Sequence, residues 1–251
     1  MLDIIRSEFY KIRKAKLTLI TALCLMGIAG INIAVLVYAR FSDGLIHEII
    51  SSTKAVDLYA EFTRGSLYLI FVAMFAGGMI ANEYTNRTIR QVVSRGTSRT
   101  KIAAGQYIAL ATSMTCMTLI PAALATVVGT ICFEFGEISF ERFLLVVLGQ
   151  IIIIWGYVAF SMLIAHLTRS GGLSIGINVI FLLAGAMASS VLQLLTGKEE
   201  FYTYWIMTMQ SAATDYAIKA GEQLKFIGIL FFFGVVCFEF VMMRFKVKDV
   251  D

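Results

Sequence analysis

The chain has 251 residues, 59% of them hydrophobic and only 15% charged, with a mean hydropathy of +0.81. Soluble domains carry about 25% charged residues, so this composition excludes an ordinary soluble domain and indicates a membrane protein. Its net charge of +4 comes from a one-sided distribution of Lys and Arg around apolar segments and does not point to nucleic acid.

A spanning helix needs about 20 apolar residues, and six segments qualify: 17–39, 66–82, 106–132, 143–167, 173–195 and 226–243. They predict an all-α membrane protein with six transmembrane helices, in which residues 1–251 form a single transmembrane domain. Ahead of the first span, MLDIIRSEFYKIRKAK places Leu2, Ile5, Phe9 and Ile12 at spacings of three and four, with Arg6, Lys11, Arg13, Lys14 and Lys16 around them. Residues 1–16 therefore read as an amphipathic helix in the inner interface. A positive flank that only orients the first span is the simpler reading of the same charges. The first apolar run exceeds the ~7–15 residues of a signal-peptide core and lacks a clear cleavage site, so it reads as a retained span.

In the outer segment 40–65, Ile46, Ile49, Ile50, Val56, Tyr59 and Phe62 form one helical face. Span two ends in FAGGMIANEY, where Gly77 and Gly78 permit close helix approach and Glu83 marks the inner boundary. The loop 83–105 follows, with Arg87, Arg90, Arg95, Arg99 and Lys101 against one acid. Within it Ile89, Val92 and Val93 share one face of a short helix, Arg87, Arg90 and Arg95 occupy the rest, Gly96 stops the turn, and Thr97 or Ser98 caps the next helix. Span three contains Pro121, the chain's single proline. A proline bends a helix, and a kink in a transport path and an incidental bend are both open.

Spans four and five are joined by HLTRSGGL, where Gly171 and Gly172 are expected to permit a tight reversal. Gly172 with Gly176, and Gly185 with Ser189, have the small-xxx-small spacing of packed membrane helices. Segment 196–225 is apolar for a loop. Phe201, Tyr202, Tyr204 and Trp205 suit an interfacial belt, so it reads as re-entrant or interfacial helices before span six. Glu239 lies inside the last span, where an acid is a functional candidate; snorkelling or pairing with Arg244 accounts for it equally. Asn32 and Gln150 suit interhelical hydrogen bonds. The four cysteines form no CxxC and read as apolar thiols.

With the N-terminus inside, the segments 1–16, 83–105, 168–172 and 244–251 hold fourteen of the 21 Lys and Arg and only five acids. The positive-inside rule then puts both termini in the cytoplasm of a bacterial-type plasma membrane, with a basic inner face suited to anionic lipid. No GxxxxGK[ST] occurs, so the chain does not bind ATP in the Walker manner. His47-Glu48 begins an HExxH pattern that Ser51 ends. Neither a GxSxG nor a nucleophile–base pair or metal cluster is present, so the chain reads as no enzyme by itself, without catalytic, cofactor or metal residues.

MLDIIRSEFYKIRKAKLTLI and EYTNRTIRQVVSRGTSRTKIAAGQ resemble the start and the post-span-two segment of permeases in the type-2 ABC exporter family. The likeness extends to the six-span layout, and within the family the chain looks most similar to small permeases exporting antimicrobial peptides, including lantibiotic immunity transporters. The resemblance implies a coupling helix between spans two and three that docks on a separate cytoplasmic ATP-binding subunit, where ATP and Mg would be held. Carried onto this chain, the docking element is Thr88, Ile89, Arg90, Val92, Val93, Ser94, Arg95, Gly96, Thr97 and Ser98, with the N-terminal helix beside it. Glu83, Pro121 and Glu239 are the candidates for gating or structural roles. A second permease, as homodimer or heterodimer, would complete the path for a hydrophobic or amphipathic substrate. The competing readings are an ATP-independent secondary transporter or channel, and a membrane-bound sensor or scaffold that uses the same loop.

Overall fold

A computed structural model describes residues 1–41, 54–64, 66–86, 88, 98–132, 135–136 and 138–247. Among them the chain forms helices α1 (Leu2–Lys14), α2 (Lys16–Phe41), α3 (Ala55–Glu61), α4 (Ser66–Thr85), α5 (Arg99–Cys132), α6 (Phe140–Thr168), α7 (Gly171–Thr196), α8 (Glu200–Thr203), α9 (Ile206–Ala213) and α10 (Ala220–Val247), and no strand. Six of these, α2, α4, α5, α6, α7 and α10, are long and apolar enough to cross a membrane. The protein is an all-α, six-span, multi-pass membrane protein. Helices satisfy their own backbone polar groups, which is what an apolar solvent demands of a spanning segment.

The helix ends follow local chemistry. Ser139 caps α6 by accepting from the Arg142 amide at 3.4 Å, and α7 stops at Gly197, whose φ of 67° suits glycine. Only Ala15 separates α1 from α2; it is extended, and Thr18 Oγ1 donates to the Ile12 carbonyl at 2.6 Å across the elbow.

Helices α4 and α6 form the centre, with about half of each span window buried, whereas α2 and α7 bury only 17% of theirs. Phe75, Leu69, Met114, Ile154, Tyr157, Met162 and Leu182 fill the interior. Close crossings rest on glycine. Helices α6 and α10 run parallel and meet where a Cβ on Gly234 would lie 2.8 Å from Gly156 Cα. Gly77 faces Ser174 of α7 and Gly78 faces Leu17 of α2, at 2.8 and 2.7 Å from a Cβ in those positions. Among the described residues a Cβ on Gly172 or Gly176 would meet nothing within 4 Å, so their small-residue spacing makes no close crossing there.

One expectation shifts in detail. The reversal between α6 and α7 is made by Arg169, at φ 53°, and not by Gly171 and Gly172, which already belong to the first turn of α7. The Arg169 guanidinium lies over the Tyr84 ring, 5.6 Å from its centroid, a contact that anchors the left-handed residue. Helix α5 starts at Arg99, directly after the expected cap, and Ile102, Ala103 and Gln106 in its first turns are buried. In the 40–65 segment, Val56 and Tyr59 of α3 are buried and Phe62 is half-buried as expected, while Ile46, Ile49 and Ile50 lie outside the described residues.

The 196–225 segment folds back on the bundle. The Trp205 ring occupies the notch at Gly185, where a Cβ would come within 2.0 Å of it, and packs 5.1 Å from the Phe181 ring. Gly185 lies about 16 Å from the end of α7 at ~1.5 Å per residue, so α8 and α9 descend beside α7 in re-entrant fashion. The turn after α9 keeps its carbonyls satisfied through two guanidiniums. Arg64 donates to Thr214 O at 2.9 Å, and Arg142 donates to Tyr216 O at 2.6 Å and also to Ile218 O. Gln150 makes the expected interhelical bonds, to Tyr59 O at 3.1 Å and Thr63 Oγ1 at 3.0 Å. Asn32 instead bonds within its own helix, to Ile28 O.

The Gly156–Gly234 crossing yields a test. Gly234→Ala forces backbone apart and is expected to destabilise by about 1–3 kcal/mol, while Gly228→Ala, which meets nothing within 4 Å, leaves stability unchanged. Thermal scans of the two purified variants in detergent measure the difference.

Candidate functional site at the root of the basic loop

Residues Ile89, Arg90, Val92, Val93, Ser94, Arg95, Gly96 and Thr97 lie outside the described residues. The two roots of their loop are described, and both are fastened. Thr88 Oγ1 donates to the Glu83 carbonyl at 3.2 Å. Ser98 caps α5 as expected, its Oγ accepting from the Lys101 amide at 3.4 Å.

Glu83, near the end of α4, gathers three elements. Lys11 of α1 donates to its Oε1 at 2.5 Å, and Gln106 of α5 donates to its Oε2 at 2.5 Å. Lys11 also pairs with Glu8 at 2.6 Å. Side-chain exposure is 13% for Glu83 and 7% for Glu8, so both carboxyls are largely out of water. A carboxylate in that position needs partners for its lone pairs. Gly105 lets α1 close over α5, since a Cβ there would lie 2.7 Å from Ile4 Cγ2.

This docking changes the reading of α1. Its inward stripe is Ile4, Glu8 and Ile12, one helical face directed at protein, while Leu2 and Phe9 of the expected apolar face are exposed. Leu2, Ile5, Phe9 and Ile12 do share one helical face, but only its edge at Ile12 meets the protein, beside Glu8 and Ile4, and Lys11 next to that edge reaches Glu83.

Tyr84 works on the other side of the same turn. Its hydroxyl is hydrogen-bonded to His166 Nδ1 of α6 at 2.8 Å. The His166 ring meets Phe245 of α10 edge-on at 4.9 Å. Two consecutive residues thus tie α4 to α1 and α5 through Glu83, and to α6 and α10 through Tyr84. His166 is a buried packing residue with one interhelical hydrogen bond.

The other two candidates lie elsewhere. Pro121 is buried within α5, which continues through it without a break. Glu239 is exposed on α10 and forms no ion pair with Arg244 among the described residues. Sequence reasoning singled out Glu83 but missed Lys11, Glu8, Gln106 and Tyr84 as its companions. The signal available was an acid at spacing three from a lysine inside an otherwise apolar helical face. Among the described residues no group of three His, Cys, Asp or Glu gathers. The cluster's hydrogen bonds run between helices, so what it does is hold them in register.

Glu8 makes that hold sensitive to pH. Burial, and then the facing Glu83 carboxylate, push its pKa from 4.5 up to about 7, against the pull of Lys11. Burial also opposes the charge on Lys11, but Glu83 and Glu8 outweigh it and raise the lysine above its usual value. A raised acid pKa means that the folded chain keeps a proton the unfolded chain has lost, so this contribution is full below about 4.5 and disappears as pH rises through about 7. Wild type is expected to lose stability across that window, and Glu8→Gln, which cannot ionise, to lose less. Unfolding midpoints on either side of the window check this, and equal pH slopes in the two proteins would remove Glu8 as the source.

No protein with a curated description matches this chain. The model of the family described as "Protein of unknown function (DUF2705)" matches residues 18–250, which leaves α1 ahead of the matched stretch and includes Glu83, Tyr84 and Gln106. The chain belongs to that family.

Proposed function

We propose that this chain is the permease subunit of an ATP-driven exporter, with ATP hydrolysed by a separate cytoplasmic subunit that docks on the loop between α4 and α5. The observation that carries the reading is the fastening of that loop. A partner that pulls on residues 88–98 pulls on α4 and α5 at their ends, on α1 through Lys11, and on α6 through Tyr84 and His166. Such a linkage is what an external motor needs in order to change the arrangement of spans, since motion imposed at one interface then moves packed helices as units. The charge bias supports the accompanying orientation, with α1, the loop and both termini on the cytoplasmic face of a bacterial-type membrane.

In this reading the docking surface is the run Thr88–Ser98, with Ile89, Val92 and Val93 entering an apolar cleft on the ATPase and the arginines around them meeting an acidic rim. Two permeases, identical or paired with a similar chain, enclose the route. The cargo is a hydrophobic or amphipathic molecule taken from the membrane, such as an antimicrobial peptide, in keeping with spans that carry few charges. The resemblance of the N-terminal and post-span-two segments to type-2 ABC exporter permeases supports the class, and the re-entrant fold of α8 and α9 suits it.

The test is co-expression with candidate ATP-binding subunits from the same genome, followed by purification and ATP hydrolysis measured in lipid. Co-purification and permease-dependent turnover are expected. Arg90→Glu combined with Val93→Asp is expected to insert normally in the membrane and to lose the ATPase. Association that survives the double substitution would place docking elsewhere, and an ATPase that never associates with the wild-type chain would reject the reading.

A further inference from the structure

A cavity of about 180 Å³ lies at the end of α4 opposite Glu83. Its wall is apolar, with Leu25, Ala29 and Ile33 from α2, Leu58 and Phe62 from α3, and Phe71 from α4. It is smaller than the ~300–1,000 Å³ of a pocket for a drug-sized ligand and equals about six waters of liquid volume at ~30 Å³ each. That is room for one short aliphatic chain and not for a two-chain lipid. On one side the wall is α2, a span only 17% buried within the chain.

The polar part of the lining is acceptor-rich. The terminal nitrogens of Arg64 are committed, to Thr214 O at 2.9 Å, Asp215 at 3.4 Å and Glu61 at 3.6 Å, while its buried Nε meets no partner among the described residues. Two carboxylates therefore face one guanidinium. Of the two, Glu61 is the less engaged, with 67% of its side chain exposed and only the long contact to Arg64. Asn32 spends its amide N–H on Ile28 O at 2.9 Å, which leaves its amide oxygen as a further acceptor. Tyr68 also lines the cavity, and its hydroxyl is engaged with Thr118 at 2.9 Å. Asp215 takes up part of the Arg64 charge from outside the lining, so the exposed Glu61 carboxylate and the Asn32 amide oxygen suit a cation that donates hydrogen bonds.

We infer that this cavity binds a single-chain cationic amphiphile, with its aliphatic chain between α2, α3 and α4 and its ammonium group at Glu61 and Asn32. The described lining comes from one chain and involves no residue of the basic loop, so the site stands or falls separately from the proposed docking.

The experiment uses the full-length protein in lipid nanodiscs and three photoreactive diazirine probes of equal chain length: an alkylamine, a fatty acid and an alkanol. The amine is expected to label peptides of α2, α3 and α4 more strongly than the other two, and excess unlabelled alkylamine to compete. Glu61→Gln, at an exposed position, is expected to lower amine labelling by about two- to five-fold, the size of one solvent-facing ion pair, and to leave alkanol labelling unchanged. Ile33→Trp, at a half-buried position in the wall, is expected to reduce labelling by all three probes. Equal labelling by amine and acid, amine labelling that ignores Glu61→Gln, or labelling centred on other helices would each overturn the inference.

Discussion

The Glu83 carboxylate is the point on which the arrangement at one end of the bundle depends. Both of its oxygens are used, one by Lys11 of α1 and one by Gln106 of α5. A carboxylate with little access to water is tolerable only when its lone pairs are met by donors. The donors come from separate helices, so meeting that need fixes where the helices lie. The position of α1 against α5 follows from it. Tyr84, the next residue, extends the same constraint to α6 and α10 through His166.

The opposite end is fastened by a different device. A segment that descends beside α7 and returns exposes carbonyls that no helix satisfies, and in apolar surroundings each is expensive. Arg64 and Arg142 supply the missing donors to Thr214, Tyr216 and Ile218. Gln150 and Gln210 add bonds from α6 and α9 to the stretch ending at Thr63. With both ends tied, the least committed surfaces are the lateral faces of α2 and α7. That is where large apolar residues such as Leu23, Ile31, Ile180 and Met187 remain exposed within the chain.

Much of this architecture was legible in the sequence, because length and hydropathy decide a spanning helix almost by themselves. The six spans, the capping of α5 by Ser98 and the interhelical role of Gln150 were readable from residue type and position. What was not legible depended on contacts between distant segments. The Lys11–Glu83 and Gln106–Glu83 bonds join residues 72 and 23 positions apart, which no local pattern encodes. For the same reason the apolar recurrence of α1 marks an amphipathic helix but not what each side touches: Ile12 packs inward beside Glu8, while Leu2 and Phe9 stay exposed. At the α6–α7 turn, glycine looked like the hinge, yet Arg169 takes the left-handed conformation beside an aromatic ring.

The strength of the Glu83 tie bears on what it can transmit. Hydrogen bonds to a charged group are worth about 1.5–3 kcal/mol each, and coupling free energies between protein sites are typically about 1–3 kcal/mol. Two such bonds are therefore enough to carry displacement of the loop into α1 and α5 instead of letting the loop slip alone. Glu8 limits that strength, because it draws on the same lysine and faces the same carboxylate. When Glu8 holds its proton, Lys11 serves Glu83 without a rival; when Glu8 ionises, one cation is divided between two acids and the buried negative charge rises. The proton on Glu8 thus bears directly on the contact between α1 and the loop root.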